Sequence, residues 1–260
     1  MKTWFRRKTE PDVASQMVEA KRAFEAGNHA HAIAIWLPLA HAGVARAQNN
    51  IGASLINGLG VAADPATGIK WLTTAAANGD AVAQRNLASA YFKGEGIAQD
   101  EAKAEHWYRK SAEQGDAEAQ DMLSWMLTEN EFHEPNYAEA MKWALAAAEQ
   151  GSAPSMTRIG MFHHNALGVP RDSARAAEWW QKAAKKGDAD GQAMLGAAHL
   201  LGAGVECDQQ KAMAWLILAK KGGSQLAENY YNSTKAKMGA KDFAKSEKLA
   251  ASLLTGDYAS

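Results

Sequence analysis

Trp71, Trp107, Trp143, Trp179 and Trp215 stand 36 residues apart, and each is followed eight residues later by a glycine: Gly79, Gly115, Gly151, Gly187 and Gly223. Self-similarity at a fixed period of this length marks a repeat architecture, in which each supersecondary unit buries its apolar face only by stacking on the next. The period divides the chain into units 44–79, 80–115, 116–151, 152–187 and 188–223. An irregular earlier unit, with Trp36 and Gly43 seven apart, falls in an N-terminal segment 1–43, and 224–260 forms a C-terminal helical cap.

The apolar period inside a unit is helical. Ala83, Leu87 and Tyr91 are four apart, as are Ala104, Tyr108 and Ala112, so each unit holds two helices and the chain is all-α. The first helix of a unit is expected to start after Asp80, Asp116, Ser152 or Asp188, whose side-chain oxygens can accept from first-turn amides. The second is expected after Asp64, Asp100, Asn136, Asp172 or Asp208, with Pro65 suited to a first helical position. The glycine before each Asp or Ser fits the left-handed residue that ends a helix. In this reading the ladder tryptophans fill the gap between helix layers beside small residues such as Ala147 and Ala183.

Between the paired helices lie Gly58-Leu-Gly60, Gly94-Glu-Gly96 and Gly202-Ala-Gly204, with Ala166-Leu-Gly168 a partial match. A Gly-x-Gly that cradles phosphate follows a strand; one that joins two helices in every unit reads as a turn. The stretch Asn130 to Pro135 breaks the pattern, so the third unit's loop should differ from the others.

A formal net charge of −1 and a pI near 6.7 argue against nucleic-acid binding, which needs a basic surface to displace counterions. Charge is segregated nonetheless: residues 95–150 carry thirteen acids against four bases, and 211–248 carry eight lysines against three acids. Cys207 is the sole cysteine, which suits a reducing cytoplasm. The opening MKTWFRRKTEPDVASQ lacks the apolar run of a signal peptide, and nothing approaches the ~20 apolar residues of a membrane span, so no stable membrane insertion is expected. Trp4 and Phe5 beside Arg6 and Arg7 would either touch a membrane surface or form a packed or frayed terminus.

The order Ala-x-x-x-Leu-Ala-x-x-Tyr-x-x-Gly-x-Gly-Ile-x-x-Asp-x-x-x-Ala-x-x-Trp-x-x-x-Ala-x-x-Gly, written here from Ala83 to Gly115, resembles the Sel1-like repeat, a relative of the tetratricopeptide repeat. The likeness spans the five units, and Phe24, Gly27 and Ile33 are similar to a degenerate tetratricopeptide hairpin. The resemblance implies a right-handed α-solenoid superhelix of antiparallel helix pairs. It also implies a bacterial adaptor that holds protein or peptide partners in signalling, envelope assembly or secretion.

Residues two before and two after core-facing Leu87 point about 200° away from it. The resulting stripe of Arg85, Ser89, Phe92 and Lys93 would line a concave groove. Its equivalents are Asn49, Ala53, Ile56 and Asn57; Asp121, Trp125, Thr128 and Glu129; Thr157, Met161, His164 and Asn165; and Ala193, Ala197, Leu200 and Leu201. Trp125 stands out because it lies off the 36-residue ladder: it is either a recognition anchor, as Trp often is, or a filler beside its irregular loop. His163 and His199 fall at one repeat position and should come near each other, but a loose pair does not make a metal site.

These residues point to a non-enzymatic scaffold with no cofactor or metal, monomeric or weakly self-associating. Two other classes stay in view. Some cysteine-rich Sel1-like proteins bind or hydrolyse β-lactams, but their paired cysteines and a Ser-x-x-Lys nucleophile are absent here. Head-to-tail assembly through the acidic middle and basic C-terminal region is the third, and it would weaken with salt.

Overall fold

A computed structural model describes residues 12–129 and 134–255, which are helical with no strand. The helices are α1 (Val13–Glu25), α2 (His29–His41), α3 (Ala45–Asn57), α4 (Pro65–Ala77), α5 (Ala81–Lys93), α6 (Glu101–Glu113) and α7 (Ala117–Glu129). They continue with α8 (Tyr137–Glu149), α9 (Ala153–Asn165), α10 (Ser173–Lys185), α11 (Ala189–Leu201), α12 (Gln209–Lys221), α13 (Leu226–Lys237) and α14 (Ala240–Thr255). Two compact units divide inside α7, after Ala119. Helices that follow one another in sequence pack together from α1 to α6 and from α8 to α13, and α14 packs on α12. Residues 1–11, with Trp4 and its basic neighbours, and the core of the irregular loop, 130–133, lie outside the described residues.

The expected helix starts are those observed. Asp80 Oδ1 accepts from the Ala83 amide at 2.8 Å, Asp116 from Ala119 at 2.9 Å, and Asp188 from Gly191 at 2.7 Å. Asp64, Asp100, Asn136, Asp172 and Asp208 cap α4, α6, α8, α10 and α12 in the same way. At the other end Gly79 takes φ +87°, and the Asp80 amide reaches back to the Ala75 carbonyl at 3.1 Å, closing the helix with a six-residue ring. The loop inside each hairpin is pinned by one recurring bond. The amides of residues 64, 100, 136, 172 and 208 donate to the carbonyls of 55, 91, 127, 163 and 199 at 2.8 to 3.0 Å. It survives in the third hairpin, so the irregular stretch ends where its counterparts do.

The core departs from the tryptophan ladder. Trp143 and Trp215 are buried, but Trp71, Trp107 and Trp179 are only half so. The ammonium groups of Lys110, Lys142 and Lys182 lie over Trp107, Trp143 and Trp179 at 4.9, 4.6 and 4.0 Å from the ring centres. The innermost position is one residue later: Leu72, Tyr108, Ala144, Trp180 and Leu216 are all 3% exposed or less. Opposite stand Gly52, Ala88, Ser124, Gly160 and Gly196 of the first helix, and the sizes compensate. Trp180, the largest, faces Gly160; Ala144, the smallest, shares its hairpin with Ser124, whose hydroxyl donates to the Ala140 carbonyl at 2.8 Å. A Cβ at Gly52 or Gly196 would meet Leu72 or Leu216 at 3.0 and 2.8 Å. The ladder thus marks the register of the hairpin, and its neighbour fills the middle.

Polar side chains tie successive hairpins. Gln48, Gln84 and Gln192 donate to the carbonyls of Ala40, Ala76 and Ala184 at 3.1 to 3.2 Å, satisfying acceptors that a helix end leaves open. Gln84 in turn accepts from Gln114 at 2.8 Å, and Gln120 from Gln150 at 2.9 Å. The helical period alone did not disclose these links.

Candidate functional site

The candidate groove residues are engaged more than the helical phase suggests. In the first unit Asn49 is 3% exposed; its carbonyl oxygen accepts from Asn86 at 2.9 Å and its amide donates to Asn50 at 3.0 Å. Arg85 grips both oxygens of Asp116 at 3.0 and 3.2 Å and Glu118 at 3.0 Å. Ser89 bonds the buried Tyr108 hydroxyl, whose proton affinity is raised by burial. Phe92 is half-buried, and Lys93 is exposed on the last turn of α5.

In the second unit Asp121 accepts from Ser155 at 2.5 Å and Arg158 at 2.9 Å. Trp125 is half-buried and donates to Glu129 at 3.2 Å. Met161 packs on the cluster that contains Trp180, and His164 lies 5.4 Å from the Trp180 ring. Asn49 is therefore corrected from a groove residue to a buried link. Its partner Asn86 is 37 residues on, as Arg158 is from Asp121, because the face opposite the hairpin core meets the first helix of the next hairpin. Of each stripe, the last position stays open: Asn57, Lys93, Glu129, Asn165 and Leu201 are exposed.

An open space does exist in the first unit. A cavity of about 700 Å³ lies among α1, α2 and α3, with Met17, Phe24 and Trp36 as its apolar floor. Arg46, Asn50, Ala53 and Asn57 of α3 also line it, so part of the first stripe faces it. Trp36 is 3% exposed, lies 5.3 Å from the Phe24 ring, and holds its indole N–H buried with no acceptor among the described residues. Val18 is 50% exposed on the same wall. At the rim Arg46 Nε donates to Asp80 at 2.7 Å and Lys21 pairs with Glu25 at 3.6 Å. Sequence reasoning missed this space because it depends on α1, which carries no ladder tryptophan.

The second unit has a smaller cavity of about 390 Å³ where α13 faces the end of α11 and the loop before α12. Exposed Cys207 lies on its wall and donates weakly to the Leu200 carbonyl at 3.5 Å. The histidines are used locally. His199 Nδ1 lies 3.0 Å from the Glu206 carbonyl, whereas His163 Nδ1 and His164 Nδ1 are buried with no hydrogen-bond partner among the described residues. Among the described residues no three His, Cys, Asp or Glu side chains gather as a metal-ligand set. No helix among them is long and apolar enough to cross a membrane. Asp64 and Asp100 have lowered pKa values because the side chains, and then the amides, of Thr67 and Lys103 hydrogen-bond their carboxylates.

The Sel1 repeat pattern matches residues 45–80, 81–116, 117–152, 153–188 and 189–224. Among solved structures, a Sel1 repeat protein from Oxalobacter formigenes is 30% identical and superposes with a TM-score of 0.79, covering 83% of this chain and 86% of that one. A protective antigen of uropathogenic Escherichia coli with an SLR fold is 25% identical, with a TM-score of 0.61. That match covers 94% of this chain and 61% of the antigen. No curated protein matches the chain.

Proposed function

The chain belongs to the Sel1 repeat family, whose members are generally protein-interaction scaffolds, and from that premise we propose that it holds a peptide or protein partner without chemistry of its own. The trough among α1, α2 and α3 is the seat we assign in the first unit. One observation carries this: an apolar floor stands open beside a rim of polar and charged side chains, the composition expected of a recognition pocket. Trp125, half-exposed on α7, is the anchor we assign in the second unit. The reading as a scaffold rather than an enzyme is supported by how the charged groups are used: Arg46, Arg85, Asp116, Asp121 and Asp188 are tied up in caps and hairpin links. A reducing compartment suits the free, exposed Cys207.

The test is crosslinking in native cells with wild type, Ala53→Trp and Trp125→Ala, each checked for unchanged helical content. Ala53→Trp fills the trough and is expected to abolish capture of one or more proteins that wild type retains. An unchanged set of captured proteins in both variants would refute the assignment. Turnover of nitrocefin by purified protein would overturn the non-enzymatic reading.

A further inference from the structure

The cavity in the second unit has a composition of its own. On α13, Leu226, Tyr230, Ser233, Thr234 and Lys237 follow one another at helical spacing, so one face of that helix carries them all. Leu226 and Tyr230 are 46% and 40% exposed, and Leu201, across the cavity, is 69% exposed. Large apolar side chains left this open favour contact with another molecule.

Thr234 adds an independent sign. It is 4% exposed and lines the cavity, yet its hydroxyl makes no hydrogen bond among the described residues. A helical Thr ordinarily bonds the carbonyl four residues back. Here the Tyr230 carbonyl accepts from Ser233 instead, at 3.1 Å. Lys237, also on the wall, has no ion-pair partner among the described residues. Glu206 and Asp208 flank Cys207, but neither lines the cavity, and Asp208 is held by the α12 amides and Lys211. The segment 211–248, which carries α13, holds eight lysines against three acids.

We propose that this cavity is a docking site for an acidic segment of a partner protein, which seats an apolar side chain among Leu200, Leu201 and Tyr230 and gives a carboxylate to Lys237 and the Thr234 hydroxyl. The apolar wall supplies the anchor pocket, the unused donors fix its orientation, and the lysines speed encounter with a negative partner. It is separate from the α1–α3 trough and does not depend on it.

The experiment titrates a fluorescein-labelled peptide, Glu-Glu-Asp-Leu-Phe-Glu-Asp, with the full chain and follows fluorescence polarisation. Binding is expected to weaken with salt, by about tenfold in Lys237→Glu, and several-fold in Thr234→Val, which keeps the shape of the side chain. Alkylating Cys207, the only cysteine, with N-ethylmaleimide crowds the cavity and is expected to block binding, whereas Ala53→Trp leaves it intact. Lys237 is exposed, so its variant folds. Failure to bind the peptide, equal affinity for a version with lysines in place of the acids, or insensitivity to Lys237→Glu each overturns the proposal. So does a preference for phosphatidylserine vesicles over the peptide.

Discussion

Gly160→Ala tests the account of the core at its tightest point. A Cβ at residue 160 would fall within the ring edge of Trp180, 2.5 Å from Cδ1 and 2.9 Å from Cε2. Exchanging Gly for Ala inside an ordinary helix gains about 1 kcal/mol of propensity. Here overpacking costs about 1–3 kcal/mol. Displacing the indole also loosens its hydrogen bond to the Thr157 carbonyl, 3.2 Å in the native arrangement, for about another 1 kcal/mol. The net expectation is destabilisation by about 1–3 kcal/mol, or about 2–4 °C in Tm for each kcal/mol in a chain of this size. Trp180→Phe alone should also destabilise, but with Phe in place the added methyl has room. The double variant should therefore lie close to Trp180→Phe, a coupling well above the ~0.5 kcal/mol within which independent sites add. Thermal unfolding by circular dichroism measures all four proteins. A Gly160→Ala variant as stable as wild type, or strict additivity in the double, would refute the claim that Gly160 is small because Trp180 is large.

Ala166 ends α9 at φ +57° and is the one non-glycine among the described residues with positive φ; Gly58, Gly94 and Gly202 serve at the equivalent position. Ala166→Gly should raise stability by about 1 kcal/mol by relieving that backbone, and Gly202→Ala should lower it by a similar amount; equal melting temperatures for wild type and Ala166→Gly would contradict this. The lowered pKa values of Asp64 and Asp100 mean that their caps support the fold above the ordinary carboxylate pKa of 3.8 and lose that support as pH falls through the lower folded value. Asp64→Asn with Asp100→Asn keeps the capping oxygens but removes the titration, so its urea midpoint should fall less between neutral and acid pH than that of wild type; parallel curves would show that the caps do not titrate with folding.

Helix ends were legible because they are written in short-range chemistry. Asp80, Asp100 and Asn136 each act on amides three residues on, and Gly79 acts on its own backbone, so spacing alone located them. Burial was less legible. A period of 36 assigns every tryptophan of the ladder to one position but does not say whether that position or the next faces inward. The choice depends on which residue of the opposite helix is small. Gly52, Gly160 and Gly196 were the available sign: a glycine inside a helix costs about 1 kcal/mol against alanine, and three at one repeat position point to close approach.

The burial of Asn49 has the same origin and carries a consequence for where specificity can reside. Phase within one helix shows which side chains turn away from its own hairpin, but in a stack that side is claimed by the next hairpin. Asn49 is spent on Asn86, and Asp121 on Arg158. Positions that join repeats must suit their neighbours, so they are poor places to vary a binding preference. Open side chains gather instead where stacking is incomplete. In the first unit that is α1, with Val18 and the trough over Trp36; in the second it is α13, with Tyr230 and Leu201. Neither helix belongs to the 36-residue period, and each can change its partner without changing the register of the repeats.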